Sequence, residues 1–103
     1  MDQRDREERR KCERRHFGEY IRIDDSMTCV CSDISENGLY ACMMQPLEKN
    51  RMVDVTIPLE GKKIFVRARV EYVHPGIGVG LIFIDLNDEQ RSMLRELIKG
   101  IKE

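Results

Sequence analysis

Two stretches of this sequence carry residue types suited to gripping an anion or reading the edge of a purine. The first runs from Arg4 to Arg15, where seven basic residues outnumber four acidic ones. Within it Arg6, Arg10 and Arg14 recur at every fourth position, giving R-x-x-x-R twice, and Arg15 follows directly. A guanidinium presents a planar fork of N–H donors that fits phosphate oxygens and equally the N7 and O6 edge of guanine. Taken alone, the same spacing suits a solvated tail. The second stretch is Asp33-Ile34-Ser35-Glu36-Asn37-Gly38. Asp33 and Ser35 are two positions apart, a spacing that lets both leave a strand on one side. A carboxylate accepts from the N1–H and the N2 amino group of guanine, a hydroxyl serves base or phosphate, and Gly38 lets the backbone pass close by without a Cβ. Those residue types also favour plain turns, for local hydrogen-bonding reasons.

Other chemistries find little support. His16 and His74 are far apart in sequence, and His74 stands beside Pro75-Gly76, where a surface histidine in a turn needs no function. No serine occupies a G-x-S-x-G elbow, and no glycine-rich phosphate loop joins a strand to a helix. Gly76-Ile77-Gly78-Val79-Gly80 runs into a strand instead, which suits a turn and close backbone packing. Cys12, Cys29, Cys31 and Cys42 lack the paired spacing of a zinc site and read as small, mostly buried hydrophobes. No metal and no cofactor is expected, and no enzyme.

The elements that must position the two stretches follow from periodicity. Residues 1–16 contain almost nothing that could join a core, so they read as a flexible, charged arm, with Phe17 the first anchor. Tyr20–Ile23 is a short extended piece. Met27, Cys29 and Cys31 then alternate with Thr28, Val30 and Ser32. Asn37-Gly38 tolerates positive φ and reads as a tight hairpin. Met52, Asp54 and Thr56 alternate with Val53, Val55 and Ile57. Ile64, Val66, Ala68, Val70 and Tyr72 share one face of a strand, with Phe65, Arg67, Arg69, Glu71 and Val73 opposite. Six strands with hairpin-length links fit an all-β fold, a small antiparallel barrel or a two-sheet sandwich. Asn87 with Gln90 three residues on is a capping box that opens a helix over 88–101, with Leu94, Leu97, Ile98 and Ile101 on its apolar side.

At 103 residues the chain holds one domain and one modest core. Eighteen basic against nineteen acidic side chains leave a net charge of -1, which excludes a generic DNA-coating protein but not a local anion grip. The first twenty residues are the most charged, opposite to a signal peptide, and no apolar run could span a bilayer. A cytoplasmic location without membrane insertion is expected.

Motif, order and length together resemble the PilZ domain family of small bacterial β-barrels. Asp33-x-Ser35-x-x-Gly38 matches the family's [D/N]-x-S-x-x-G at every specified position, and RARVEYV, VGLIF and Asp85-Leu86 before a closing helix resemble its last strands and tail. The resemblance covers the chain from about Glu13 onward. It implies a six-stranded barrel over 17–103 that binds cyclic di-GMP between the arm and the motif strand, with Arg10, Arg14, Arg15, Asp33, Ser35 and Gly38 as the ligand-binding residues. It also implies one ligand or a stacked pair per chain, signalling by arm ordering or docking to a protein partner, and no DNA or RNA partner. The strands show no aromatic platform of the kind an RNA-binding barrel needs.

One departure matters. Aligned through Phe17, Arg15 takes the first position of the family's R-x-x-x-R, and Glu19 stands where the second arginine belongs. The literal motif is Arg10 to Arg14, five residues earlier. Arg14 is the residue common to both registers. The alternative that Glu19 raises is a PilZ-type domain that has lost the nucleotide and works as a protein-interaction adaptor in motility or envelope machinery.

Overall fold

A computed structural model describes residues 14–45 and 47–101. Six antiparallel strands close into a barrel, which decides against the sandwich. They are β1 (Arg15–Ile23), β2 (Met27–Ile34), β3 (Gly38–Cys42), β4 (Met52–Leu59), β5 (Lys62–His74) and β6 (Gly78–Ile84), followed by α1 (Asp88–Gly100). Around the barrel the order is β1-β2-β3-β6-β5-β4, and β1 closes onto β4 through Arg22 opposite Thr56 and Ile23 opposite Val55. Closure gives every described strand a neighbour on both sides, which reduces the open edge that a chain this short must cover. β1 starts at Arg15, so Arg15 and His16 are strand residues rather than part of the arm to which composition assigns them.

The core is the set of inward positions that period-two alternation marks. Val53, Val55, Ile57 and Leu59 of β4 face Ile64, Val66, Ala68 and Val70 of β5 and Val79, Leu81 and Phe83 of β6. Cys29 and Cys31 lie among them. Burial and the neighbouring Cys42 push the Cys29 thiol up to about 11, and burial, then Asp33, push Cys31 to about 12, so both behave as small apolar side chains.

The turns distribute left-handed backbone differently from expectation. Asp24 and Asp25, between β1 and β2, both have positive φ (54° and 56°), as do Glu60 and Gly61 (32° and 78°) between β4 and β5. Both residue pairs, the first within the three-residue link Asp24-Asp25-Ser26 and the second the whole two-residue link, have the backbone sign of primed hairpin turns, whose twist matches the strands they join. Asn37 and Gly38 do not have positive φ. Gly38 is required for another reason: a Cβ there would lie 2.1 Å from the Leu81 carbonyl oxygen on β6.

The helix starts where its sequence predicts. The Asn87 side chain accepts from the Gln90 amide at 2.7 Å, while the Gln90 side chain accepts from the Asn87 amide at 2.8 Å. Gln90 also donates to the Phe65 carbonyl of β5 at 2.7 Å, and Leu94 and Leu97 enter the core. Arg95 ties the helix to the β2–β3 turn through Glu36 at 2.7 Å.

Candidate functional site

β2 does not alternate regularly to its end. Cys31 pairs with Ala41 of β3 and Asp33 with Tyr40, so Ser32 is an extra residue in the ladder. That bulge turns Asp33 outward, although Cys31 two positions earlier is fully buried. Asp33 reaches the surface with its carboxylate about one-third exposed and receives the Arg14 guanidinium at 2.5 Å. Ser32 donates to the other carboxylate oxygen at 3.4 Å. The arginine just before β1 and the acid near the end of β2 thus meet on the barrel exterior, donor beside acceptor. Both are well hydrated, so the pair is worth no more than about 1 kcal/mol and can be exchanged for a ligand at small cost.

Ser35 does not join them at the surface. It is 2% exposed, accepts from the Asn37 amide at 3.2 Å, and its hydroxyl lies 3.4 Å from the Gly38 carbonyl. Its own amide donates to the same carbonyl at 2.8 Å. Asp33 and Ser35 therefore do not share an exposed side: the acid faces solvent and the hydroxyl holds the turn. Gly38 sits beneath that turn against β6. Arg15 stands opposite Ile34, Arg14 reaches Asp33, and Arg10 lies outside the described residues. Glu19 is opposite Cys31 on β1, past a register shift around Gly18 (φ 69°). It lines a cleft with His16, Glu60, Glu96 and Leu97, beside α1 rather than beside Asp33.

Sequence reasoning missed a group of rings next to Asp33. A second bulge, at Glu71, lets Val70 oppose Leu81 and Tyr72 oppose Gly80, so Tyr72 points outward instead of into the core with Val70. Tyr40, Tyr72 and His74 then form one cluster, with ring centroids 5.1 to 6.1 Å apart. Tyr40 Oη lies 2.9 Å from His74 Nδ1, and the phenol donates when that nitrogen is unprotonated. Burial raises the Tyr40 pKa, and Cys42, Tyr72 and Asp33 add to it, which keeps the phenol protonated. The expectation that the strands lack an aromatic platform is corrected here. The available signal was the glycine alternation at Gly78 and Gly80, which makes room for rings as well as for backbone.

An apolar hollow on the surface, among Tyr20, Met27, Cys29, Met43, Met44 and Ile77, is lined by no charged side chain and does not include Asp33. Among the described residues no cluster of histidine, cysteine and carboxylate side chains could hold a metal ion, and no helix is long and apolar enough to cross a membrane.

The family model described as PilZ domain matches residues 3–100. No curated protein sequence matches the chain. Among solved structures, the chain is similar to the PilZ domain of CeSA from a cellulose-synthesizing bacterium, with TM-score 0.70 and 24% identity over 85% of this chain and 96% of that one. It is also similar to the Bacillus subtilis inhibitor of motility MotI/DgrA (TM-score 0.72, 15% identity, 88% of this chain) and to Borreliella burgdorferi PlzA, solved in complex with c-di-GMP (TM-score 0.58, 13% identity, 94%). It spans 50% and 37% of those two proteins. With the barrel order, the closing helix and a match over nearly its whole length, the chain belongs to the PilZ domain family.

Proposed function

We propose that this domain is a non-catalytic receptor for cyclic di-GMP, which it takes against Asp33 and Arg14 on the barrel exterior. The observation that carries the reading is the Arg14–Asp33 pair itself. A guanine edge supplies N1–H and N2 amino donors that replace the guanidinium on the Asp33 carboxylate. Arg14, released, donates to phosphate or to N7 and O6. Gly38 and Ser35 support this from beneath, by keeping the turn tight against β6. The c-di-GMP complex of PlzA, a protein of the same fold, agrees with the reading. Arg10 and Arg15 are further proposed to close over the ligand, which binds singly or as a stacked pair, the arm then ordering or exposing a docking surface for a protein partner. Calorimetric titration with cyclic di-GMP at moderate salt tests it. Saturable heat supports the reading, and no binding at tens of micromolar ligand overturns it.

A second reading has its own observation. Asp33 is already covered by Arg14, and Glu19 occupies the aligned position of the second motif arginine. A domain that keeps this pair closed would act as an adaptor through its surface alone. The same titration separates the two, since the adaptor takes no nucleotide.

A further inference from the structure

Four strands bring one row of residues into register on the outer face: Asp33 on β2, Tyr40 on β3, Gly80 on β6 and Tyr72 on β5. Directly opposed residues in antiparallel strands share a face, so this row is a continuous strip across the barrel wall. Its two ends point outward because of the two bulges, at Ser32 and Glu71. The glycines along it are occupied sites. A Cβ on Gly80 would lie 2.2 Å from the Tyr72 ring, and one on the nearby Gly78 would lie 2.4 Å from the Ala41 carbonyl oxygen and 2.6 Å from the Tyr40 ring. The rings lie down on the sheet where side chains are missing, and the Tyr40–His74 hydrogen bond fixes their edges. Tyr72 nevertheless keeps 37% of its surface open. The ring planes are tilted 33° to 44° to one another, so each ring offers its own face; such a face, bedded on glycine and ending at a carboxylate that suits a purine edge, has the form of a stacking site.

We propose that Tyr40, Tyr72 and His74 form a shelf on which a guanine base stacks while its edge meets Asp33. The assignment rests on the cyclic di-GMP reading and adds to it the face that holds the base plane. Continuity with Asp33 selects the occupant: a peptide ring could use the shelf, but it has no paired donors for the carboxylate. Base–aromatic stacking commonly contributes about 1–3 kcal/mol, so loss of the ring surface should weaken binding by about tenfold.

The test titrates cyclic di-GMP into the wild-type chain, Tyr72→Leu and Tyr72→Phe. Leucine keeps Gly80 covered but offers no ring, and phenylalanine keeps the ring. The expected result is a loss of about tenfold for Tyr72→Leu and a change within about twofold for Tyr72→Phe. Nuclear Overhauser contacts between guanine H8 and the ring protons of Tyr40 or Tyr72 in the wild-type complex give a readout that needs no variant to fold. Wild-type binding with unchanged affinity in Tyr72→Leu, or with no such contacts, overturns the shelf and leaves the receptor reading standing. A wild-type chain that takes no ligand overturns both.

Discussion

The β4–β5 ladder and the row from His16 to Tyr72 are made from similar strands, but they are put together differently. Between β4 and β5, eight successive pairs from Met52 opposite Arg69 to Leu59 opposite Lys62 run without a register shift. Every second residue is buried, and the outward Asp54 and Arg67 approach only to 3.7 Å, with both side chains mostly in water. That pair contributes little, so the ladder is held by what it buries. The row contains His16, Asp33, Tyr40, Gly80 and Tyr72, and three of the strands that supply it are irregular beside it, at His16/Glu19, Cys31/Asp33 and Val70/Tyr72. A bulge breaks alternation and re-aims a side chain. Regular pairing builds the inside of this barrel, and local irregularity aims the side chains of this row outward.

The largest expected effect breaks that contrast at the backbone. Gly38→Ala sets a Cβ 2.1 Å from a carbonyl oxygen of β6, and the two strands must separate to admit it. A stability loss of about 3 kcal/mol or more is expected in denaturant titration. The atoms nearest a Cβ in Gly80→Ala all belong to the Tyr72 ring, which can swing away. It should stay folded with a smaller loss and weakened ligand binding. Equal stability costs for the two glycines would show that the rings are as rigid as the ladder.

Next in size is the acid. Asp33→Ala should reduce cyclic di-GMP affinity at least tenfold, since it removes a charged acceptor. Its stability should change by less than about 1 kcal/mol, because the Arg14 partner it loses is already hydrated. Arg14→Ala should behave similarly. Unchanged affinity in either variant, with an intact circular dichroism spectrum, would mean that the pair is only a surface ion pair.

The regular half of the fold was legible because its rule is local. Alternation alone separated Val53, Val55 and Ile57, which the barrel buries, from Met52, Asp54 and Thr56, and Asn87 with Gln90 placed the helix start. The site was legible only in its residue types. Whether Asp33 points in or out depends on Ser32 being the extra residue, which is settled by how β2 pairs with β3 and not by β2 itself. For the same reason Tyr72 read as sharing a face with Val70, and its ring contacts with Tyr40 and His74 did not show. Gly38 carried two sequence readings, a positive φ and a backbone approach without a Cβ: its φ is not positive, and the approach is to β6.

Ser35 sharpens the comparison at a smaller scale. Read by spacing it is a ligand group beside Asp33, but in the barrel its hydroxyl is buried and accepts from the Asn37 amide. Ser35→Ala leaves that amide without its acceptor, at an expected cost of about 1 kcal/mol in unfolding free energy. Affinity should fall only as far as the turn loosens. A loss of binding as large as that of Asp33→Ala, with stability unchanged, would put the hydroxyl on the ligand after all.

The smallest expected effect is at Glu19, where alignment through Phe17 would place an arginine. Were the site built in that register, Glu19→Arg would restore a donor and remove a like charge facing phosphate, and affinity should rise strongly. The barrel sets Glu19 instead in the cleft beside α1 with His16, Glu60 and Glu96, whose lining does not include Asp33. An arginine there exchanges one of three carboxylates for a cation, which should stabilise the fold by about 0.5 kcal/mol. The affinity for cyclic di-GMP should change within about twofold, and less at high salt, because charges that do not touch the ligand are screened over about 10 Å. Tenfold tighter binding in Glu19→Arg would require β1 to slip past its irregularity when ligand arrives, carrying residue 19 toward Asp33. In that event the bulged strand would be a moving part of the receptor, and the contrast with the fixed β4–β5 ladder would be one of mobility as well as of shape.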